Sequence, residues 1–121
     1  MIIEDDLTTQ SLLSTLLGFE GYDVLVPKDL ISEETIIDNI VQSQPDLILM
    51  DVHLRRGNGL SILQKIHQNP DLLSLKVIIT SGEDYSYECK KIKANGFLMK
   101  PYMPDDLLQM VKRFLTTNTT P

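Results

Sequence analysis

The chain has 121 residues, of which 42% are hydrophobic and 23% charged, so it fits one globular domain and is not a disordered segment. The net charge of −6, with no long basic run, excludes the usual pattern of a nucleic-acid-binding domain. The single cysteine, Cys89, excludes an internal disulfide, and no apolar run approaches the ~20 residues that span a bilayer. We therefore expect a soluble, cytoplasmic domain with no membrane contact.

Five short apolar runs are spaced along the chain. They are apolar at consecutive positions and do not alternate, which is typical of strands covered on both faces. The runs are MII (1–3), YDVLV (22–26), DLILM (46–50), KVIIT (76–80) and GFLM (96–99). This pattern predicts a parallel sheet.

Amphipathic segments follow the five runs in turn. Leucines at helical spacing mark the first segment, and isoleucines mark the second, which begins after Ser32 as an N-cap with acids in the first turn. The third covers 59–67, the fourth (84–94) has the weakest apolar stripe, and the fifth begins at Pro104, which suits a first helical turn. Each segment is predicted to be a helix.

The alternation of strands and helices predicts an α/β fold of the (βα)5 type, with right-handed crossovers and helices on both faces of the sheet. This is the doubly wound, flavodoxin-like arrangement, whose common strand order is 2-1-3-4-5. We expect a single domain over residues 1–116. Residues 117–121 are predicted to be a polar tail or the start of a linker.

Polar residues follow or end four of the predicted strands. Taken singly, each could be a helix cap, a turn residue or a solvated side chain. Nothing structural requires polar groups at all four ends, however, and ligands of such sheets bind beyond the carboxyl ends of the strands. We therefore expect one cleft to collect Glu4, Asp5 and Asp6 from the first strand, Asp51 from the third, Thr80 from the fourth and Lys100 from the fifth.

This set of residues suits the transfer of a phosphoryl group to a carboxylate. A hard cation such as Mg²⁺ takes oxygen ligands, which Asp5 and Asp51 could supply. The metal, the Lys100 ammonium and the Thr80 hydroxyl could then neutralise the three phosphoryl oxygens. An aspartate can accept the group as an acyl phosphate, and Asp51 is predicted to be the acceptor because it stands alone at the central strand.

Four motifs, in order and spacing, resemble the receiver domain of two-component response regulators. They are IIEDD (2–6), PDLILMDVHLRRGNGL (45–60), VIITSG (77–82) and FLMKPY (97–102), and they extend over nearly the whole chain. The resemblance implies a regulatory phosphorelay switch, not an enzyme in its own right, that is phosphorylated by a histidine kinase or phosphotransfer protein. It also implies an output domain or effector protein as a further partner, and homodimers as a further form.

The resemblance implies a role for each matching residue of the phosphorylation site. Asp51 would be the phosphoacceptor, and Lys100 and Thr80 would contact the phosphoryl group. Mg²⁺ or Mn²⁺ would be held by Asp51, by Asp5 directly and by Glu4 through water. The main-chain carbonyl of His53 would be a further ligand of the metal.

Other positions have implied roles outside the metal site. Thr80 and Phe97 would form the switch that reshapes the face of the fourth helix, fifth strand and fifth helix. The Lys100–Pro101 bond would be cis. Asp6 falls one place beyond the acidic pair and is expected to be solvated.

The chain departs from the family pattern at several positions. Glu4 stands where many relatives have Asp, Arg55 replaces a usual proline, and Phe97 lacks the hydroxyl of the commoner tyrosine. The loop at 27–35 is longer than usual, and only three residues precede Glu4. The His53 side chain is expected to be partly exposed, the alternative being that it affects attack of water on the acyl phosphate.

Two other classes of protein remain open. A hydrolase with an aspartyl-phosphate intermediate would share Asp51 and Mg²⁺, but many such enzymes carry a second Asp two residues later, where this chain has His53. A phosphorylation-independent docking module on the same fold is the stronger alternative. Its usual mark, loss of the acceptor or of the lysine, is absent.

Overall fold

The computed structural model describes residues 1–28 and 30–115, which form six strands and five α-helices. The elements in chain order are β1 (Ile2–Ile3), α1 (Leu7–Phe19), α2 (Glu33–Ser43), β2 (Leu47–Asp51), β3 (His53–Leu54), β4 (Gly57–Asn58), α3 (Gly59–His67), a 3-10 turn (Pro70–Leu72), β5 (Lys76–Ser81), α4 (Ser86–Lys91), β6 (Gly96–Met99) and α5 (Pro104–Leu115). All five predicted helices are present.

The main sheet is parallel, with strand order β1-β2-β5-β6. Its central strands β2 and β5 are buried along almost their whole length, because helices cover both of their faces. The register pairs Asp51 of β2 with Thr80 of β5, and Thr80 with Leu98 of β6. The carboxyl ends of the strands are therefore level along one edge, and the flavodoxin-like fold is confirmed.

The predicted strand at 22–26 is the one element that the described residues do not form. The described sheet has four strands, so the order 2-1-3-4-5 lacks its first member. The segment still lies at the sheet edge, where the Ile2 amide donates a hydrogen bond of 2.8 Å to the Leu25 carbonyl. Its neighbour β1 has two residues, and backbone groups alternate between the two sides of a strand, so β1 offers too few positions for a second ladder.

Side-chain caps start the helices that flank the sheet edge. The Thr35 amide donates to Ser32 over 3.1 Å at the start of α2, which confirms that predicted N-cap. The Thr9 amide donates to Asp6 over 3.0 Å at the start of α1. Asp6 is exposed to solvent, as expected, and in addition caps α1.

The core is divided between the two faces of the sheet. Isoleucines of α2 and α3 pack on one face with Val77 and Ile79, and α1 and α5 pack on the other face with Leu49 and Ile78. The fourth helix is six residues long, with Cys89 as its buried residue. Burial raises the pKa of the Cys89 thiol to about 11, so the thiolate is scarce at neutral pH.

The predicted boundary at residue 116 and the tail at 117–121 lie outside the described residues. Within the described ranges, no helix combines the length and the apolar character that crossing a membrane requires.

Gly59, the first residue of α3, is packed against the backbone of Asp51. A Cβ at this position would lie 2.4 Å from the Asp51 carbonyl oxygen, so Gly59→Ala should lower the free energy of unfolding by about 1–3 kcal/mol. In α1, a Cβ at Gly18 would meet no atom within 4 Å, so Gly18→Ala should raise it by about 0.5–1 kcal/mol. Urea titration of both variants tests the opposite signs, and equal effects would contradict this packing.

Candidate functional site

The structure brings Glu4, Asp51, Thr80 and Lys100 together at the carboxyl edge of the sheet. The Lys100 ammonium lies 2.9 Å from Glu4 Oε1 and 3.3 Å from Asp51 Oδ2. Thr80 is the register partner of Asp51 on the adjacent strand. Residues 96 positions apart along the chain thus contact each other in one cleft.

Lys100 directly follows β6 and is also held by the end of β5. Its backbone amide donates a hydrogen bond of 2.7 Å to the Ser81 carbonyl, immediately beyond Thr80. The following peptide bond, Lys100–Pro101, is cis, as the resemblance implied. The lysine side chain therefore starts from a fixed point and extends across the strand ends to the acids.

The two acids that contact Lys100 are largely buried. The side chains of Glu4 and Asp51 are 7% and 12% exposed, whereas that of Lys100 is 31% exposed. Burial raises the pKa of the Asp51 carboxyl above its ordinary value, the Lys100 ammonium opposes that shift, and the Glu4 carboxylate adds to it. The Lys100 ammonium therefore offsets part of the cost of burying the Asp51 carboxylate beside Glu4.

The contacts with the two acids also change the pKa of the Lys100 ammonium. Burial lowers the pKa of the Lys100 ammonium, but the hydrogen bond to Glu4 and the charge of Asp51 outweigh burial, so the net direction is upward. Lys100 is therefore cationic at neutral pH and can bind an anion that enters the cleft.

Asp5 lies at the same edge but faces a different partner. Its carboxylate accepts a hydrogen bond from the backbone amide of Arg55, in the turn of the β3–β4 hairpin. The adjacent Glu4 carbonyl accepts a hydrogen bond from the Gln10 side chain at the start of α1. The acidic segment is thus fixed between the first helix and the hairpin that follows Asp51.

The donor chemistry of these acids fits a hard cation such as Mg²⁺, because all three offer carboxylate oxygens. Within residues 1–28 and 30–115, no three His, Cys, Asp or Glu side chains are already arranged as a metal-binding group. Glu4 and Asp51 share the Lys100 ammonium instead, and Asp5 binds the hairpin. A bound cation would therefore compete with Lys100 for the charge of Asp51.

The His53 side chain is 55% exposed, in line with the expectation from sequence. Its Nε2 atom lies 3.1 Å from Glu83 Oε1 and 3.4 Å from the Tyr85 hydroxyl. The His53 and Tyr85 rings meet edge to face, with centroids 5.7 Å apart. These contacts join the hairpin to the loop that follows β5.

Phe97, the predicted partner of Thr80 in the switch, lies on the neighbouring strand β6. It pairs with Ile79, one position before the Thr80–Leu98 pair, and packs partly buried against the core under α2 and α3. Thr80 itself is 3% exposed. The two residues are therefore on adjacent strands, with Thr80 buried and Phe97 partly buried.

Sequence analysis missed the residues that fix the hairpin. Glu33 was interpreted only as a first-turn acid, although its carboxylate also accepts a hydrogen bond from the Asn58 amide in β4. Arg55 was noted only as the replacement of a usual proline, and its backbone amide, which a proline would lack, donates a hydrogen bond to Asp5. A two-residue turn before glycine, as in LRRGN (54–58), is the one signal that could have predicted this hairpin.

Removing the Lys100 charge should make stability depend on pH. In Lys100→Met, only the hydrogen bond from the His53 backbone amide still opposes the effect of burial on Asp51, so the pKa of this carboxyl rises further in the folded state. The folded protein then binds more protons than the unfolded chain, and stability is lost as pH rises through that pKa. We expect a loss of about 1–2 kcal/mol at pH 7, less than for a fully buried pair because Lys100 is partly exposed, and a smaller loss near pH 4.

Lys90→Met is the matched control, because Lys90 is an exposed residue of α4. Its effect should stay within about 0.5 kcal/mol at both pH values in urea titrations. A loss for Lys100→Met that is the same at both pH values would contradict the charge balance described above.

Comparison with known proteins agrees with this geometry. The family model described as the response regulator receiver domain matches residues 1–112. The positive alginate biosynthesis regulatory protein of Pseudomonas aeruginosa is 27% identical over 116 residues, which are 93% of this chain and 45% of that protein. This chain thus spans about half the length of the curated relatives that it matches.

Two solved structures show the same fold. The receiver domain of a signal transduction histidine kinase from Syntrophus aciditrophicus is 26% identical, with a TM-score of 0.84, 99% of this chain covered and 92% of that one. The receiver domain of a sensor histidine kinase from Pseudomonas aeruginosa, solved with magnesium in its active-site cleft, is 21% identical, with a TM-score of 0.81 and coverage of 96% and 95%. Because the family model covers nearly the whole chain, the protein belongs to the response regulator receiver domain family.

Proposed function

We propose that Asp51 is the phosphoacceptor of this receiver domain and that phosphorylation depends on Mg²⁺ or Mn²⁺. The observation that carries the proposal is the Lys100 ammonium, which lies 3.3 Å from Asp51 Oδ2 and 2.9 Å from Glu4 Oε1 at the carboxyl edge of the sheet. A carboxylate nucleophile and a cation for the incoming anion are thus adjacent.

The reaction proposed is attack of an Asp51 carboxylate oxygen on the phosphorus of a donor. A new oxygen–phosphorus bond forms, and the bond from phosphorus to the donor, a phosphohistidine nitrogen in a kinase or phosphotransfer protein, breaks with its electron pair leaving on the donor. Lys100 neutralises one phosphoryl oxygen, and the Thr80 hydroxyl donates a hydrogen bond to another. The domain thereby assists its own phosphorylation and, with water as the nucleophile, its dephosphorylation.

A divalent cation fits this proposal through the chemistry of the acids. Asp5 and Asp51 would bind it directly, Glu4 through water, and the His53 carbonyl would complete the protein ligands. The cation would supply the positive charge that neutralises a further phosphoryl oxygen. Magnesium in the cleft of the receiver domain from Pseudomonas aeruginosa, which shares the fold, supports this assignment.

The switch is proposed to be a shift between two populations. A phosphoryl group on Asp51 attracts the Thr80 hydroxyl, Phe97 moves into the space that is vacated, and the face formed by α4, β6 and α5 changes shape. The nearly buried Thr80 and the partly buried Phe97, on adjacent strands, support this coupling. An output domain, an effector protein or a second copy of the domain would recognise the altered face.

The proposed setting is a cytoplasmic phosphorelay, in which this domain makes no direct contact with nucleic acid. The upstream partner is a histidine kinase or phosphotransfer protein. A docking module that works without phosphorylation is less favoured, because Asp51 and Lys100 are both present and in contact.

The acceptor assignment is tested by labelling with radioactive acetyl phosphate in the presence of Mg²⁺. Wild-type protein should be labelled, Asp51→Asn should not, and addition of a chelator should abolish labelling because the cation is needed to neutralise the phosphoryl group. Asp38→Asn, which changes an exposed acid of α2 in the same way, should be labelled like wild type. Equal labelling of Asp51→Asn and wild type would refute the assignment.

The switch is tested with Thr80→Val, which keeps the shape of the side chain and removes the hydroxyl. Beryllofluoride, which mimics a phosphoryl group on aspartate, should shift the amide resonances of α4, β6 and α5 in wild type but by less than half as much in the variant, because the hydrogen bond to the anion is lost. The exposed Thr15 of α1 provides the matched control, Thr15→Val. Shifts of wild-type size in Thr80→Val would contradict the proposed coupling.

A further inference from the structure

Glu33, the first residue of α2, binds the chain segment that directly follows the predicted acceptor. Its side chain is 18% exposed. Its carboxylate accepts three hydrogen bonds, from the Asn58 amide at 2.9 Å, the Ser61 hydroxyl at 2.7 Å and the Lys65 ammonium at 2.9 Å. All three donors lie 25 to 32 residues away in sequence, so this is a tertiary contact and not a local helix cap.

The Glu33 side chain also packs closely against the chain at Gly57. A Cβ at Gly57 would lie 2.7 Å from Glu33 Cγ, so the acid side chain packs directly on the backbone of β4. Burial raises the pKa of the Glu33 carboxyl, but the hydrogen bonds from Lys65, Ser61 and Asn58 outweigh it, and the net direction is downward. The carboxylate is therefore ionised, and held in place, across the neutral pH range.

The segment that Glu33 holds is continuous with the phosphorylation site. β4 pairs with β3, where His53 is opposite Asn58. The Gly59 amide donates a hydrogen bond of 2.8 Å to the Val52 carbonyl, next to Asp51. At the other end of the hairpin, the Arg55 amide binds Asp5.

We propose that Glu33 is a positioning residue for the metal and phosphoryl site, and that it acts by fixing the β3–β4 hairpin. Glu33 anchors the returning strand of this hairpin and Asp5 anchors its turn, so His53 and Asp5 keep fixed positions relative to Asp51. Glu33 contacts neither the metal nor the phosphoryl group. The inference rests on the proposed function, because the hairpin carries the proposed carbonyl ligand of the metal.

Glu33→Gln tests the proposal, because it keeps the size of the side chain and replaces one acceptor oxygen by a donor. The affinity for Mn²⁺ alone, measured by electron paramagnetic resonance of the free ion, should fall roughly tenfold, as for residues that support metal ligands from outside the first shell. Exchange of the Arg55 and Asn58 amides should become faster, while exchange of the Ile78 amide in β5 stays unchanged.

Glu34→Gln is the matched control. It lies on the same turn of α2 and makes the same change of charge, but its side chain is 77% exposed and its contact with Lys65 is longer, at 3.5 Å. The affinity of this variant for Mn²⁺ should equal that of wild type. An equal loss in both variants would mean that net charge and not the hairpin is responsible, and would overturn the proposal.

Wild-type Mn²⁺ affinity in Glu33→Gln would also overturn it, even if the variant were less stable to urea. If Glu33→Gln does not fold, Ser61→Ala removes one of the three donors, and its affinity for Mn²⁺ should fall about threefold; an unchanged affinity would be equally decisive against the proposal. Failure of the proposed function would be recognised differently, because wild type itself would then bind no Mn²⁺ and take no label from acetyl phosphate.

Discussion

The Lys100 ammonium between two buried carboxylates is the interaction on which the functional edge of this domain depends. Glu4 and Asp51 are 7% and 12% exposed, and like charges this close disfavour joint ionisation unless a cation relieves them. That cation directly follows β6, the last strand of the sheet, whereas Glu4 directly follows β1 and Asp51 ends β2. The charge balance therefore exists only when the whole sheet is assembled, which links the fold directly to the chemistry of the cleft.

A second constraint acts through the hairpin after Asp51. Gly59, at the end of the hairpin, packs against the Asp51 carbonyl with no room for a side chain. The absence of a side chain at Gly59 therefore lets the chain return to the end of β2. Asp5 then accepts a hydrogen bond from the turn of the hairpin, and Glu33 accepts one from its returning strand. The acids near the cleft thus divide into two groups. Glu4 and Asp51 contact the Lys100 ammonium, whereas Glu33 and Asp5 bind the backbone of the hairpin.

The sequence predicted the strands whose side chains are buried on both faces, but it predicted less well which segments pair with a neighbouring strand. Consecutive apolar residues identified β2 and β5, because a strand that is covered on both faces needs apolar side chains at nearly every position. The same signal at 22–26 did not yield a strand, since pairing also depends on the length of the neighbour, and β1 is too short. Glu4, Asp51, Thr80 and Lys100 could be grouped from strand ends alone. Backbone donors such as the Arg55 amide carry no side-chain signature, so Asp5 could be placed at the edge but its partner could not be predicted.

The central claim is that a phosphoryl group is accepted on Asp51 and on no other acid of the cleft. Borohydride reduces an aspartyl phosphate to homoserine, so reduction after treatment with acetyl phosphate and Mg²⁺, followed by peptide mass spectrometry, identifies the acceptor directly. The account predicts homoserine at position 51, only when Mg²⁺ is present. Homoserine at position 5 or 6, or no reduction product in a protein that binds Mg²⁺, would contradict it.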